Sequence, residues 1–407
     1  MSPDATDTNL DHRARRVLAQ SANRMLAQID EPTRRVPRFF SHGSGAWLYD
    51  DTGSGYLDLN MARGAVVLGY GSPVIAKAIQ KHASNGILTS LRHPAEVDVA
   101  EFITRSIPCA ETVAFGKNGS DACTAAVRIA RALTGRTVIL SCGYHGFHDW
   151  FAATMPGMEG FPSDLARHVV SFDLNDGDGL ERLVGEHRSN LAGIIIEPAH
   201  RAVGTPAFLK LARRLADDSG SLLIFDEVVT AFRVGLGGCQ GVTGVLPDLA
   251  CLGKAMANGY PLSAVAGRRD IMRGLGRTFF SMTYQTDSLG FVLARACLTD
   301  LRERNVPQRL ATIGDALRTA FDSAADLAGI PARACGPAAR LDLCFPPADG
   351  LDTHQQEQIF LNALLEAGIL PSLSVFPCDG LTTADVALAS QAFSVAMERI
   401  SARKRNG

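Results

Sequence analysis

Short apolar runs recur along most of this chain, and segments with helical spacing lie between them. The runs are TVAF (112–115), TVIL (137–140), AGIIIEP (192–198), SLLIFDE (221–227) and SAVAG (263–267). A helical pattern over Asp121–Leu133 separates the first two runs, and another covers RRLADDSG (213–220). Apolar runs without polar alternation are typical of strands buried on both faces. The pattern therefore predicts a mostly parallel sheet flanked by helices.

The two ends of the chain carry different patterns. Apolar residues recur at helical spacing from Asp11 to about Ala27. Gly45–Leu59 indicates a hairpin, because two apolar-aromatic strands surround a turn rich in Asp and Gly. From about Thr299 the pattern changes to helices and mixed strands, which predicts a smaller α+β region at the C-terminus.

Composition narrows the functional classes. The 407 residues include 40 Lys+Arg and 42 Asp+Glu, a balance that favours neither nucleic acid nor an anionic membrane as partner. No stretch comes near the roughly 18 uninterrupted apolar residues of a membrane span, and the first residues contain no apolar signal segment. The nine cysteines are scattered without a CxxC pair. We therefore expect a cytoplasmic protein without a disulfide framework or a membrane span.

An acidic pair follows one apolar strand and a lysine follows another. Asp226 and Glu227 end the run SLLIFDE, and open α/β sheets bind ligands at the carboxyl ends of their strands. A carboxylate there can keep a ring nitrogen protonated, although a strand-end salt bridge or a helix cap would explain the pair as well. Lys254, in PDLACLGKAMANGYP, stands where a charged amine is costly unless it is paired, neutral or covalently modified. Among the six lysines, Lys117 is the rival candidate.

The segment FGKNGSDACTAAVRIARALTGR (115–136) joins a strand to a long helix through Gly119 and Ser120. Backbone N–H groups at a helix N-terminus bind phosphate, and a serine adds a hydroxyl group. The segment therefore predicts a phosphate-binding loop. The alternative is that Ser120 or the following aspartate only caps the helix.

A second loop, YHGFHDW (144–150), contains Tyr144, whose ring could stack on a flat cofactor. Its two histidines and its aspartate raise the question of a metal ion. The sequence contains no HExxH motif and no third clustered ligand, so we predict no metal site.

With a phosphate loop, an aromatic loop, an acid after a strand and then a lysine, the sequence resembles the class III aminotransferases of pyridoxal-phosphate (PLP) fold type I. The glutamate-1-semialdehyde aminomutase-like branch is the most similar one. The resemblance extends from about Phe39 to about Met397 and includes VVLGYGSP, FGKNGSDA, GYHGFHDW, LLIFDEVVTAFR, GVLPDLACLGKAMANGYP and TYQTDSL. It implies an aspartate aminotransferase-like α/β fold with pyridoxal 5'-phosphate as cofactor. The large domain would cover 58–300, and a small α+β domain would be built from both termini, 1–57 and 301–407.

The resemblance also implies a role for each matching residue. Lys254 would carry the cofactor as a Schiff base, and Asp226 would pair with the pyridine nitrogen, with Tyr144 as the third catalytic residue. Tyr144 and Val228 would cover the two faces of the ring. The other implied cofactor-binding residues are Gly119 and Ser120 at the phosphate, His145 in the aromatic loop, Glu197 near the ring hydroxyl and Thr283. In the family, the threonine at the last position reaches the phosphate from the neighbouring subunit, which implies a homodimer with shared active sites.

The sequence departs from the aminomutase pattern where the substrate binds. Met25 and Gln28 stand near the positions of the Ser and Arg that grip the substrate carboxylate in the aminomutases. Arg63 stands where relatives have an active-site tryptophan, and FPCDGLTTAD (376–385) lacks the histidine of the corresponding family motif. Arg63 would either form a local ion pair or bind an anionic or hydroxyl group of the substrate.

These features favour a PLP-dependent transaminase that moves an amino group between a small-molecule donor and a carbonyl acceptor, neither of which the sequence identifies. An intramolecular aminomutase is the alternative enzyme, and it would need no external oxo acid. A hypothesis of another class is a cofactor-free or regulatory protein that uses this fold for binding. The intact Lys254, Asp226 and Gly119–Ser120 loop argue against that hypothesis.

Overall fold

The computed structural model describes residues 10–19, 26–34, 36–162, 164–347 and 350–406. Its first sheet has three antiparallel strands, β1 (Phe40–Ser44), β2 (Trp47–Asp50) and β3 (Gly55–Leu57). Strands β2 and β3 form the hairpin that the sequence predicts within Gly45–Leu59.

A seven-stranded sheet forms the centre of the molecule. Its strands are β4 (Thr112–Gly116), β5 (Val138–Cys142), β6 (Val169–Ser171), β7 (Leu191–Ile196), β8 (Leu222–Asp226), β9 (Leu249–Leu252) and β10 (Ser263–Gly267). Their order across the sheet is β4-β10-β9-β8-β7-β5-β6, and only β10 is antiparallel to its neighbours. Each predicted apolar run thus forms a strand, and the mostly parallel sheet is confirmed.

A third sheet and the helices complete the described chain. The sheet contains β11 (Arg333–Cys335), β12 (Leu341–Cys344) and β13 (Ser374–Val375). The helices are α1 (Leu10–Val17), α2 (Met61–Gly64), α3 (Pro73–His82), α4 (Pro94–Ser106), α5 (Gly119–Thr134), α6 (Asp149–Ala152), α7 (Gly177–His187), α8 (Pro206–Ser219), α9 (Gly238–Thr243), α10 (Arg269–Met272), α11 (Ser288–Glu303), α12 (Val306–Ala328), α13 (Thr353–Glu366) and α14 (Thr383–Asn406). Within the described ranges, no helix is both long and apolar enough to cross a membrane.

The N-terminal helix is shorter than its periodicity predicts. Helix α1 ends at Val17, whereas the apolar pattern extends to about Ala27. Ala27 is not helical, and its N–H group donates to the carbonyl oxygen of Pro371 at 3.0 Å. Leu26 packs against a small apolar cluster that contains Leu370. The prediction was wrong at residues 18, 19, 26 and 27, which are not helical, and residues 20–25 lie outside the described part of the chain. At Leu26 and Ala27, contacts with distant residues override local helical spacing.

Residues from both ends of the chain share one apolar core. Leu57 is the last residue of the first sheet, and Leu59 follows it. Both belong to a buried cluster that also contains one phenylalanine from each of helices α12, α13 and α14, namely Phe321, Phe360 and Phe393. The three phenylalanine rings lie 5.6–5.7 Å apart between centroids. This core attaches the N-terminal strands to the C-terminal helices, as the predicted fold requires.

Helix α5 connects the central sheet to the loop that the sequence predicts to bind phosphate. Its first turn is held by Asp121, whose Oδ2 accepts hydrogen bonds from the N–H groups of Lys117 (2.8 Å) and Asn118 (2.7 Å). Gly135 ends the helix in a left-handed conformation with φ of 67°. The backbone before and after Gly119 is therefore fixed by local hydrogen bonds.

A buried arginine connects three separate segments of the chain. The Arg233 side chain is fully buried, and its guanidinium donates to the carbonyl oxygens of Gly64 (2.7 Å), Pro377 (2.8 Å) and Ala339 (3.2 Å). It also lies over the Phe376 ring, 5.6 Å from the centroid. Burial lowers the pKa of Arg233 to about 10, so the group remains a cation near neutral pH.

Candidate active site

A cavity of about 510 Å³ lies where strands β8 and β9 end. Asp226 is the last residue of β8, and Lys254 follows the end of β9. The predicted site residues that line this cavity are Arg63, Gly119, Ser120, Tyr144, His145, Glu197, Asp226, Val228 and Lys254. Residues from six separate segments of the sequence are thus brought to one place, at the carboxyl edge of the sheet.

Asp226 is held in a network of buried hydrogen bonds. Its Oδ2 accepts from His145 Nδ1 at 2.8 Å and from Cys123 Sγ at 3.3 Å, and its Oδ1 accepts from the Val228 N–H group at 3.1 Å. The His145 ring stacks against Trp150, with an interplanar angle of 12°. Because these neighbours fix the carboxylate, Asp226 presents an oriented acceptor at the floor of the cavity.

The second acid of the pair faces a different part of the molecule. Glu227 accepts hydrogen bonds from Thr230 Oγ1 (2.7 Å), from the N–H group of Cys239 (2.5 Å) and from the N–H group of Gln240 (3.0 Å). Burial raises the pKa of Glu227, and it is not part of the cavity lining. Asp226 is thus the acid of the candidate site, whereas Glu227 fastens helix α9 to strand β8.

The loop before helix α5 has little free space. A Cβ atom on Gly119 would lie 2.9 Å from Val228 Cγ1, so only glycine fits there without displacing the valine. Ser120 is buried, and its Oγ accepts a hydrogen bond from the Phe147 N–H group at 3.1 Å. Its hydroxyl proton can then be donated to a ligand. Gly146 packs directly on Ser120 and has a φ of +103°.

Lys254 lies in a strained and largely buried position. It begins the short 3-10 turn Lys254–Ala257, and its φ is 45°, in the left-handed region. Burial lowers the pKa of Lys254 to about 8, while the negative charge of Glu197 acts in the opposite direction. As the pH rises through about 8, the amine loses its proton and becomes a nucleophile. Lys117, the rival lysine, instead forms an ion pair of 2.7 Å with Asp287.

Glu197 belongs to a cluster of charged side chains beside Lys254. Its Oε2 accepts from the Tyr144 N–H group at 3.4 Å and lies 3.5 Å from His200 Nδ1. Its Oε1 lies 3.3 Å from Arg340 Nη1. Tyr144 is exposed in this single chain, with its ring at the cavity.

Arg63 occupies an unusual turn at the edge of the cavity. The φ angles of Met61, Ala62 and Arg63 are 47°, 52° and 54°, so the short element α2 is a left-handed turn. Left-handed conformations cost roughly 1–2 kcal/mol for each residue that is not glycine. Asn60 compensates in part, because its Oδ1 accepts from the Arg63 N–H group at 2.7 Å. Arg63 is exposed and lines the cavity, and its role in substrate binding stays a prediction.

Two other positions named from the sequence, Thr283 and Gln28, do not line the cavity. Thr283 is exposed and begins the short turn Thr283–Thr286, away from the lining residues. The backbone oxygen of Gln28 accepts a hydrogen bond of 3.1 Å from Gln358 Nε2. Met25 lies outside the described residues.

The comparison with known families identifies the chain. The family model for class-III aminotransferases matches residues 29–336. The chain belongs to the class III aminotransferases. These are PLP enzymes of fold type I, so the predicted family, fold, activity and cofactor are confirmed.

Individual relatives show how far this similarity extends. The chain is 35% identical over 323 residues to a 3-aminobutyryl-CoA aminotransferase from Cloacimonas acidaminovorans (strain Evry), covering 76% of this chain and 77% of the relative. It is 33% identical over 392 residues to a glutamate-1-semialdehyde 2,1-aminomutase from Roseiflexus castenholzii (strain DSM 13941 / HLO8), covering 88% and 90%. The FumI protein of Sphingopyxis sp. MTA144, solved in its PLP internal aldimine form, matches with a TM-score of 0.87 at 27% identity, covering 96% of this chain and 95% of that chain.

The cavity of this aminotransferase fits pyridoxal phosphate. Its volume lies in the usual range for small-molecule sites, roughly 300–1,000 Å³. The N-terminus of helix α5 and Ser120 offer donors to a phosphate, Asp226 offers an acceptor to a protonated ring nitrogen, and Lys254 offers a primary amine. The buried His145 Nε2 has no hydrogen-bond partner among the described residues. The hydrogen bond from Nδ1 to Asp226 is therefore the one that the described residues show for the His145 ring.

One group of side chains in the aminotransferase raises the question of a metal ion. Cys123, His145 and Asp226 place one potential ligand atom each within 4.8 Å of one another. The sequence analysis did not single out Cys123. Direct hydrogen bonds between the three side chains already occupy these atoms. We therefore interpret the group as the support that orients Asp226.

Several lining residues were not found from the sequence. They come mainly from the C-terminal part of the aminotransferase and are Asn60, His200, Arg340, Ser372, Ser374 and Phe376. Arg340, Ser372 and Ser374 stand in segments without a strand-end acid, a glycine-rich turn or an isolated lysine. For Arg340 the sequence offers one signal. This arginine stands directly before an apolar strand, in AARLDLCF, where a charged side chain is costly to bury.

The contact between Gly146 and Ser120 generates a prediction. In Gly146→Ala, the new Cβ would lie 2.3 Å from Ser120 Oγ and 2.8 Å from Ser120 Cα, so the serine must move. We expect the affinity for pyridoxal phosphate to fall at least about tenfold, the equivalent of about 1.4 kcal/mol. Titration of the cofactor-free protein with pyridoxal phosphate, followed by absorbance, measures this change.

Gly157→Ala is the matched control for this prediction. Gly157 has a similarly positive φ, +73°, but a Cβ there would meet nothing within 4 Å. We expect the control to bind the cofactor within about twofold of the unmodified protein, since it adds backbone strain without a clash. Equal affinities of Gly146→Ala and Gly157→Ala would show that Ser120 does not contribute to the cofactor site.

Proposed function

We propose that this class III aminotransferase binds pyridoxal phosphate through Lys254 and Asp226 and transfers an amino group between two separate small molecules. The observation that carries the proposal is the position of these two side chains. A fixed, buried carboxylate and a buried amine with a pKa of about 8 share one cavity at the carboxyl edge of the sheet. Amino transfer needs both the carboxylate and the amine.

Each part of the cavity then has a distinct task. When bound, pyridoxal phosphate supplies an imine-forming carbonyl and a ring that accepts electrons from the carbon bearing the amino group. Asp226 holds a proton on the ring nitrogen, and Gly119 and Ser120 bind the phosphate. Val228 and Tyr144 cover the two ring faces. Lys254, deprotonated at slightly alkaline pH, moves the proton between the two reacting carbons.

Two features support transfer between molecules over an intramolecular aminomutase reaction. Arg63, with a flexible cationic side chain, occupies the cavity lining where the aminomutase pattern has a rigid indole. The segment FPCDGLTTAD (376–385) offers no histidine. The similarity to an aminomutase from Roseiflexus castenholzii nevertheless makes that reaction the second candidate.

A reaction with a single amino donor tests this function. A transaminase converts its own cofactor when given a donor alone, and it releases one carbonyl product for each active site. We expect this result with at least one donor from a panel of amino acids and amines, followed by cofactor absorbance and product analysis. Asp226→Asn should retain the cofactor but react at least about 100-fold more slowly, because the ring nitrogen loses its anionic partner.

Two outcomes would contradict the proposal. Rearrangement of a substrate without release of a carbonyl product would identify an aminomutase. A rate for Asp226→Asn close to that of the unmodified enzyme would show that Asp226 does not support the reaction.

We also propose a homodimer in which Thr283 completes the phosphate site of the partner subunit. Around Thr283, large apolar side chains are exposed on two adjacent segments. Leu91 is 79% exposed, Phe279 is 81% exposed and Tyr284 is 62% exposed. The segments are joined by a hydrogen bond of 2.6 Å from Thr286 Oγ1 to the backbone oxygen of residue 89. Exposed apolar side chains on neighbouring segments are typical of a protein interface.

A charge on this surface should separate the subunits. We expect Leu91→Glu to yield monomers that bind pyridoxal phosphate more weakly, because each site would lack the partner's Thr283. Val242→Glu is the matched control, since Val242 is 70% exposed on helix α9, outside this surface. Light scattering and cofactor titration measure both effects. A monomeric Leu91→Glu protein with undiminished cofactor affinity would rule out the shared site.

We further propose that the enzyme is cytoplasmic. All nine cysteines are free thiols in the structure, and most of them are buried. A protein with this many unpaired thiols suits a reducing compartment.

The domain boundaries at 57/58 and 300/301 are likewise a proposal. The shared apolar core of the N-terminal strands and helices α12 to α14 supports the union of both termini in the small domain. The central sheet and helices α2 to α10 lie between these boundaries in the sequence, and helix α11 extends past the second one to Glu303.

A further inference from the structure

Two partly exposed cysteines lie on neighbouring strands of the third sheet. All nine cysteines are among the described residues, and seven of them are buried, whereas Cys335 and Cys344 are partly exposed. Cys335 ends strand β11 and Cys344 ends strand β12, and these two strands are antiparallel. Neither cysteine lines the cavity. Their exposure sets them apart from the other thiols, since buried cysteines are chemically inert.

The register of these strands places both cysteines on one face of the sheet. Cys335 is directly opposite Asp342, and Cys344 follows Asp342 by two residues, so the three side chains point to the same side. The neighbouring residues Ala334 and Leu343 point to the other side and are buried in the apolar core. The cysteines are thus diagonal neighbours, a pair whose Cα atoms are typically about 7–8 Å apart.

The two thiols are close enough to interact. Burial raises the pKa of Cys344 to about 12, and a hydrogen bond with the Cys335 thiol adds to this effect. The positive charge of Arg201 acts in the opposite direction. Only the short segment 336–343 separates the two cysteines in the chain, so closing a ring between them costs little conformational entropy. Position and chain length together favour a bond between the two sulfurs.

Residues beside this pair contact the lining of the cavity. Asp342, opposite Cys335, has its Oδ2 at 3.8 Å from His200 Nε2, and its Oδ1 accepts from Ser374 Oγ at 2.6 Å. Both His200 and Ser374 line the cavity. Gly336, directly after Cys335, packs so closely on the backbone oxygen of His200 that a Cβ atom would lie 2.5 Å from it. A displacement of β11 relative to β12 therefore moves groups that contact lining residues.

We propose that Cys335 and Cys344 form a reversible disulfide when a peroxide oxidises the enzyme, and that this disulfide lowers the efficiency of the enzyme toward its amino donor. The Cα atoms of a disulfide usually lie about 4.4–6.8 Å apart, closer than those of a diagonal pair. The strand ends must therefore approach each other, and Gly336 and Asp342 move with them. Exposed or strained disulfides are easily reduced, which makes the modification reversible. The effect on the donor rests on the amino-transfer function proposed above, whereas the disulfide itself does not.

One peroxide molecule accounts for each disulfide. The sulfur of the first thiol attacks a peroxide oxygen, the O–O bond breaks, and the thiol proton joins the released hydroxide, which leaves a sulfenic acid and one water. The second thiol attacks the sulfenic sulfur, the S–O bond breaks, and a second water leaves as the S–S bond forms. The two sulfurs thereby lose two electrons to the peroxide. Because its high pKa keeps the Cys344 thiol protonated, we assign the first attack to Cys335.

Peptide mapping of the oxidised, cofactor-loaded enzyme tests the modification directly. The enzyme is treated with hydrogen peroxide, its remaining thiols are blocked, and its peptides are analysed by mass spectrometry without reduction. We expect a disulfide that joins Cys335 to Cys344, with the loss of two of the nine free thiols. Dithiothreitol should restore both thiols. Cys335→Ser and Cys344→Ser should each form no disulfide, because the sulfur that remains has no partner in reach.

The kinetics of amino transfer measure the consequence of the disulfide. We expect oxidation to lower kcat/KM for the best amino donor at least about fivefold, because small displacements of groups around a bound substrate are costly. The oxidised enzyme should keep its bound cofactor, since neither cysteine lies at the cavity. Dithiothreitol should restore the original kcat/KM. In Cys335→Ser and in Cys344→Ser, peroxide should leave kcat/KM unchanged.

Cys251→Ala is the matched control for oxidation elsewhere in the protein. A hydrogen bond with Cys251 and burial raise the pKa of Cys123, so these two thiols form a second close pair. Both are buried. Cys123 lines the cavity, which is why the enzyme is oxidised with its cofactor bound. We expect Cys251→Ala to form the disulfide between Cys335 and Cys344 and to lose donor efficiency as the unmodified enzyme does.

The outcomes separate this proposal from the proposed function. An unchanged number of thiols, a sulfinic acid at either cysteine without a disulfide, or a disulfide between other cysteines would overturn the modification. A disulfide between Cys335 and Cys344 that leaves kcat/KM unchanged would overturn its effect on the donor. If the reduced enzyme converts no donor, the amino-transfer function fails, and the peptide map still decides whether the disulfide forms. The map of the unmodified enzyme also decides this if a serine variant does not fold.

Discussion

The buried guanidinium of Arg233 joins parts of the chain that are distant in sequence. Its hydrogen-bond acceptors are neutral carbonyl groups, so its desolvation is offset only if all of these bonds form together. Each carbonyl is adjacent in the sequence to a residue of the cavity lining. The carbonyls belong to Gly64, Ala339 and Pro377, and their neighbours are Arg63, Arg340 and Phe376. One fully buried cation therefore fixes the backbone next to these three lining residues.

The relative position of Asp226 and Lys254 depends on a different constraint, the common edge at which parallel strands end. Asp226 ends β8 and Lys254 follows β9, so the sheet brings them together without any long-range side-chain contact. The surroundings of the two residues have different effects. Hydrogen bonds from His145 and Cys123 orient the acid, whereas burial lowers the pKa of the lysine. Glu197 raises that pKa and Arg340 lowers it, so the two members of this ion pair act on Lys254 in opposite directions.

The residues around Asp226 and Lys254 could be predicted from the sequence because the signals that identify them are local. A strand-end acid, a lysine among small residues and a glycine before a helix each have a physical reason that is visible within a few residues. Arg340 was missed, since its burial arises from contacts with Ala199 and Glu197, about 140 residues away. The helical pattern after Val17 was overestimated for the same reason, because distant contacts determine the conformation of Leu26 and Ala27. The different roles of Asp226 and Glu227 also required the fold, since adjacent residues at a strand end face opposite directions.

The most direct test of this account is to locate the covalent attachment of the cofactor. The enzyme loaded with pyridoxal phosphate is reduced with borohydride, digested and mapped by mass spectrometry. The account predicts that the modification is confined to Lys254. It also predicts that the rate of cofactor capture by the cofactor-free protein rises with pH, with a midpoint near the lysine pKa of about 8. Modification of Lys117, or of no lysine, would contradict the assignment of the active site.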